Sequence, residues 1–202
     1  MRRPFFLALC LASGLPVAAA AQVGYHAGVG ATWSTDIVRD VILVPITTRP
    51  GIAPTLFLGA DLPIARDYRM GLELSAGTAS LTTRTPSQPN SDLDQGRITT
   101  LSALLNLSGQ VTRGLRWRAG LGVLHYAGPG DAGIFAQGGT MRALFGGSLD
   151  YQLTAGRRWN PVISAHYDYH RFSTKELRTQ GFGLEQGVQR ISLSVGVAGG
   201  SR

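Results

Sequence analysis

Cysteine is almost missing from this chain: Cys10 is the only one, so a disulfide scaffold is excluded. Charge is also scarce. Charged residues make up 15% of the 202 positions, against about 25% in ordinary soluble domains. A 44% hydrophobic content excludes a disordered tail, which needs low hydrophobicity and high net charge. No stretch beyond residue 21 reaches 18 consecutive apolar residues, so no transmembrane helix is predicted. No 3.6-residue apolar stripe persists for more than a turn or two. The arginines are scattered over strand ends and loops, with no basic helix and no RNP-like aromatic motif, so no nucleic acid is expected as a partner. The Gly28–Gly30 and Gly120–Gly122 pairs lack the third glycine of a nucleotide fingerprint and open no helix.

Glycine, by contrast, is abundant, at 27 of 202 residues. That is near twice the usual share of about 7%. The chain opens with Arg2 and Arg3, an apolar run from Phe5 to Leu15, Pro16, and small residues to Ala21. This order predicts a secretory signal peptide over 1–21, with the domain over 22–202. Removing it takes away Arg2, Arg3 and Cys10 and lowers the formal charge from +7 to +5.

The remainder reads as eight period-2 segments near 23–34, 54–64, 69–81, 97–110, 115–127, 139–153, 159–173 and 188–198. Short connections at Arg66-Asp67, Thr112–Gly114 and Ala155–Arg157 alternate with long ones over 36–53, 82–96, 128–138 and 174–187. Alternating short turns and long loops, with strands long enough to cross hydrocarbon at a tilt, predict an all-β, eight-stranded antiparallel up-and-down transmembrane β-barrel.

Each segment has one apolar face and one polar or small face. Leu72 and Leu74 alternate with Gly71 and Glu73, Leu121 and Val123 with Gly120 and Gly122, and Leu193 and Val195 with Ser192 and Ser194. A soluble exported barrel that carries a small apolar ligand would turn the apolar face inward. The glycine and serine on the polar face favour the reverse, because an eight-stranded interior is only just wide enough for side chains. The aromatics agree. Tyr25, Tyr68, Trp117, Tyr151 and Trp159 fall at one end of the strands, and Trp33, Tyr167 and Tyr169 at the other, all on the apolar parity. These are the two membrane-interface girdles of such barrels.

The polar parity then points His26, Asp61, Glu73, Arg116, Arg118, Arg142, Asp150, His166, Asp168 and His170 into the lumen. Buried charges are costly unless paired, so these are expected to form a salt-bridged plug and not an open pore. Phe57, Leu104, Leu124 and Leu144 break the parity and either fill the lumen or mark a shifted register. His166 and His170 cannot share a metal on a strand, where four residues span about 13 Å. With the lumen packed, recognition is left to the four long segments. Of these, 82–96 is polar and expected to be mobile. Segment 36–53 is apolar, and either prolongs its flanking strands or forms a sticky patch.

The leader, the alternating strands, the glycine-rich first strand and the stretch Tyr167-Asp168-Tyr169-His170-Arg171-Phe172 together resemble the small eight-stranded outer-membrane β-barrel proteins of the opacity-protein and OmpA-transmembrane-domain group. The resemblance implies bacterial outer-membrane insertion, contact with outer-membrane lipid and lipopolysaccharide, and a structural, adhesive or surface-interaction role. It implies no cofactor, no metal and no catalytic residue. The final strand lacks the closing aromatic such barrels usually carry. A second resemblance, to the eight-stranded lipid A 3-O-deacylases, would make His170, Ser173 and Glu185 a hydrolytic group. In that family, however, the His and Ser are two apart on one face, whereas here they are three apart on opposite faces.

Overall fold

A computed structural model of the chain describes residues 23–40, 46–85, 88–128, 135, 140–153, 159–179 and 185–200. The leader over 1–21 with Cys10, the apolar stretch 41–44, most of 128–138, the turn at 155–157 and residues 180–184 lie outside the described residues.

Ten strands are described: β1 (Gly24–Ser34), β2 (Val38–Asp40), β3 (Ile46–Pro50), β4 (Ala53–Pro63), β5 (Tyr68–Thr85), β6 (Gln88–Thr112), β7 (Leu115–Ala127), β8 (Thr140–Gln152), β9 (Trp159–Phe172) and β10 (Gln186–Gly200). Eight of them close a ring in the order β5-β4-β1-β10-β9-β8-β7-β6, with β6 returning to β5. Every pairing is antiparallel, so the fold is an up-and-down β-barrel. β1 and β10 seal it from Gly24↔Gly200 to Ser34↔Arg190. Closure leaves no free edge within the ring, which is the requirement for strands in lipid.

The eight expected segments coincide with the ring strands to within a few residues, except at one end. There β5 and β6 run on to Thr85 and Gln88. Much of the polar segment 82–96, expected as a mobile loop, is therefore paired strand. Its β-branched Thr82, Thr83 and Thr85 suit that conformation, and two register shifts twist the extension. The segment 36–53 prolongs the sheet in the same way. β2 pairs with β3, and β3 pairs with the upper part of β5, so a four-stranded flap stands above the ring at the long-loop end. A short helix, α1 (Lys175–Thr179), was not foreseen. It is started by Thr174, whose Oγ1 accepts from the Leu177 amide at 3.2 Å, an N-cap bond. At the opposite end the β6–β7 turn is tight, and Gly114 adopts φ +92°, a conformation open to glycine.

The side-chain parity is inside-out relative to a soluble barrel. Leu72, Leu121 and Leu193 are 48%, 61% and 53% exposed on the outer wall, whereas Glu73 and Arg118 are each 8% exposed within. Tyr25, Tyr68, Tyr151 and Trp159 are exposed at the short-turn rim and Trp33 and Tyr167 at the long-loop rim. Trp117 and Tyr169 are half-exposed at those two rims. Tyr68 and Trp117 meet edge-on with centroids 6.5 Å apart, an arrangement favoured by the ring quadrupoles.

Candidate functional site

Strand alternation aims one residue in two at the barrel axis, and the lumen divides into two levels. In the lower level, towards the short turns, the inward positions carry ionic groups from β1, β4, β5, β7, β8 and β9. Glu73 is the hub. Its Oε2 lies 3.0 Å from Arg118 Nη1 and 3.1 Å from His26 Nε2, and its Oε1 lies 3.6 Å from His166 Nδ1. Arg118 reaches across to Asp150 with Nη2–Oδ2 at 3.1 Å. Asp61 Oδ2 lies 3.7 Å from Arg116 Nη1 and 3.8 Å from His26 Nδ1. His26 Nε2 also lies 2.8 Å from Arg118 Nη1. One ring nitrogen cannot accept from the guanidinium and donate to Glu73 at once, so the tautomer of His26 selects one of these bonds. Gly59 makes room for this ring: a Cβ there would overlap the His26 imidazole.

The network is walled by neutral contacts. Phe57 stacks on the His166 ring at a centroid distance of 4.4 Å and an interplanar angle of 10°. His166 Nε2 lies 3.3 Å from Ser194 Oγ. Thr32 Oγ1 joins Thr55 Oγ1 and Ser192 Oγ, each at 2.8 Å. A cavity of about 20 Å³ remains between His26, Phe57, Arg118 and His166, room for about one water. Ion pairs and ring contacts therefore cross the lumen at this level. Water-filled barrels have about sixteen strands.

The upper level is different. Leu124 and Leu144 point inward and are fully buried beside Tyr126 and Phe172, with Ile37, Leu81, Ile98, Phe135, Leu177 and Val188 completing an apolar plug beneath the flap and α1. The lumen is therefore not polar throughout, as the parity reading had it. Phe57, Leu104, Leu124 and Leu144 fill it without shifting the register. The physical reason is the cover. Where flap and helix close the mouth, inward side chains meet each other and not water, so aliphatic residues pack best.

The expected lumen residues are thus distributed unevenly. His26, Asp61, Glu73, Arg116, Arg118, Asp150 and His166 meet in one network. His170 stands above it and hydrogen-bonds through Nε2 to the Tyr126 hydroxyl at 2.9 Å. Asp168 stands opposite Arg190 in the β9–β10 register. Arg142 is opposite Leu124 near the mouth and is in no ion pair of 4 Å or less among the described residues. Sequence reasoning missed Arg190, Asn106 and Tyr126, all buried. Simple parity would have found them: Arg190 precedes outward Ile191, Asn106 lies between outward Leu105 and Leu107, and Tyr126 is two places past Leu124.

The hydrolytic grouping does not assemble. His170 Nε2 is engaged by Tyr126, while Ser173 Oγ donates to the Thr174 carbonyl at 3.5 Å. Among the described residues no three His, Cys, Asp or Glu side chains are placed to hold a metal.

The sequence matches none of the models of known protein families and none of the curated proteins. Similarity to solved structures is extensive. Neisserial surface protein A aligns over 88% of this chain and 96% of its own, with a TM-score of 0.53 and 10% identity. The outer membrane protein OprG from Pseudomonas aeruginosa aligns over 89% and 95%, with a TM-score of 0.51 and 14% identity. Ail, the attachment invasion locus protein of Yersinia pestis, aligns over 88% and 97% at a TM-score of 0.48 and 9% identity. At such identities the likeness is one of fold, and the fold is that of the small eight-stranded outer-membrane barrels.

Proposed function

We propose that this chain is a non-enzymatic barrel of the bacterial outer membrane, with a structural or adhesin-like role exercised at its long-loop end. The observation that carries the reading is the pairing of an outward aliphatic band, bounded by aromatic rims, with an ion-paired and plugged lumen. Such a band is stable against acyl chains and would aggregate in water. A plugged lumen has no transport to perform, which leaves the two ends. Among the described residues the short-turn end carries only brief connections, such as the β6–β7 turn at Gly114. The long-loop end carries the flap, which is hydrogen-bonded strand. A preformed surface loses little conformational entropy when it binds.

Membrane fractionation with heat-modifiable gel mobility tests the barrel part: the folded chain should run differently from the boiled chain and sediment with outer membranes. Recovery in the periplasmic fraction would overturn it. Surface display in a non-adherent bacterium tests the role. Attachment to matrix-coated or epithelial surfaces should rise, and an unchanged count would remove the adhesin-like part while leaving the structural one.

A further inference from the structure

The outer wall is not uniformly bulky. Up the outward face of β5 the side chains pass from Leu72 and Leu74 through Ala76 and Thr78 to Thr82 and Arg84. Where alanine takes the place of leucine, two apolar grooves of about 460 Å³ each open on the wall, and both are lined by Leu56 and Ala76. The lower groove runs between Leu58, Leu74 and Leu101, and the upper one reaches Pro54, Thr78 and Thr99. Both have the size of sites that hold small ligands, about 300–1,000 Å³.

Further up the same strands, on the flap, a polar pocket of about 300 Å³ is lined by Arg39, Arg49, Arg84, Thr82, Asp36 and Asp92, among others. Three guanidiniums face two carboxylates there. Arg49 pairs with Asp36 at 2.8 Å and Arg84 with Asp92 at 2.9 Å, both arginines being exposed. Arg39 makes no ion pair among the described residues. Exposed ion pairs of this kind are weak, so a stronger acceptor can take the arginines over. Phosphate is the acceptor whose geometry the guanidinium fork matches. From Thr78 to Thr82 is four residues, about 13 Å along the strand. Apolar slots with a cationic pocket one head-group length above them trace the outline of a phosphorylated lipid.

We infer that this face, the outer wall of β4 to β6 with the flap above it, is a docking surface for the lipid A end of lipopolysaccharide, with acyl chains in the paired grooves and a phosphate among Arg39, Arg49 and Arg84. The inference rests on the outer-membrane reading, which sets the flap beside the outer leaflet. A phospholipid brings one phosphate and two chains. Lipid A brings a phosphorylated disaccharide broad enough for the arginine and threonine surface, and chains enough for both grooves.

The test uses protein refolded into detergent free of lipopolysaccharide. Heat-modifiable mobility is checked first, because failure of the barrel reading shows there, before lipid is added. Bis-phosphorylated lipid A, its monophosphoryl form and phosphatidylglycerol are then offered separately, and retention is read by native mass spectrometry. One lipid A should be kept, and the monophosphoryl form, which still brings one phosphate to the three arginines, should be kept as well. The triple variant Arg39→Gln, Arg49→Gln, Arg84→Gln should weaken lipid A binding by about tenfold or more. Ala76→Phe, which fills the junction of the grooves, should do the same. Ile163→Phe on β9, four strands away around the ring, should bind as wild type does. Equal retention by wild type and the triple variant, or phosphatidylglycerol held as tightly as lipid A, overturns the inference.

Discussion

Glu73→Gln is the substitution that weighs most on the lumen network. The carboxylate touches three cationic or protonatable groups, Arg118 at 3.0 Å, His26 at 3.1 Å and His166 at 3.6 Å. The amide keeps the shape and one acceptor but removes the charge. Taking one partner from a buried ion pair costs about 3–5 kcal/mol, because the other charge stays behind in a poorly solvated place. Arg118 keeps Asp150 at 3.1 Å, so the lower figure, about 3 kcal/mol, is expected. Urea unfolding of the barrel from lipid vesicles, followed by tryptophan fluorescence and gel mobility, measures it. Asp92→Asn is the control. It breaks the exposed pair with Arg84 at 2.9 Å and should cost no more than about 1 kcal/mol. Equal losses for the two variants would refute the view that a desolvated ionic hub holds the lower lumen. Removing the charge on both sides, with Glu73→Gln and Arg118→Gln together, should cost less than the sum of the single changes.

Tyr126→Phe removes the hydroxyl that meets His170 Nε2 at 2.9 Å. It should destabilise by about 1–3 kcal/mol in the same unfolding assay, the cost of a buried group left unsatisfied. Gly59→Val places a branched side chain where the His26 ring lies. Overpacking of that kind costs about 1–3 kcal/mol, and the expected sign of it is an earlier unfolding midpoint. In planar bilayers the wild-type barrel should show no large stable conductance, since Arg118 spans the lower lumen between Glu73 at 3.0 Å and Asp150 at 3.1 Å; porin-sized steps would contradict the packed interior. Leu121→Arg, on a side chain 61% exposed on the outer wall, should cost about 2–4 kcal/mol in vesicles if it sits near the bilayer midplane.

The barrel was legible in the sequence because period-2 alternation is a local signal repeated eight times. Leu72 beside Glu73, or Leu193 beside Ser194, reports its face without knowledge of any neighbour. The flap was less legible. Thr82, Thr83 and Thr85 read as loop by polarity, yet they pair with β6, and Thr82 and Thr83 also with β3, because strand extension depends on a partner that only the fold brings alongside. The lumen was legible in its lower half, where ionic residues hold the inward parity. Its upper half was not, because Leu124, Leu144 and Phe172 become core only once Ile37 and Leu177 arrive from distant segments to cover them. Nor does alternation say which inward charges touch. Asp150 rather than Asp168 receives Arg118 because the stagger of the strands sets the height of each residue in the barrel.

The central claim is that the aliphatic wall faces lipid. The direct measurement is the accessibility of nitroxide labels on single cysteines, introduced in a Cys10→Ser background and reconstituted in vesicles. Labels at Leu121, Leu193 and Ile163 should collide with apolar oxygen far more than with a water-soluble nickel complex. Labels at those three positions that favour the nickel complex would contradict the account.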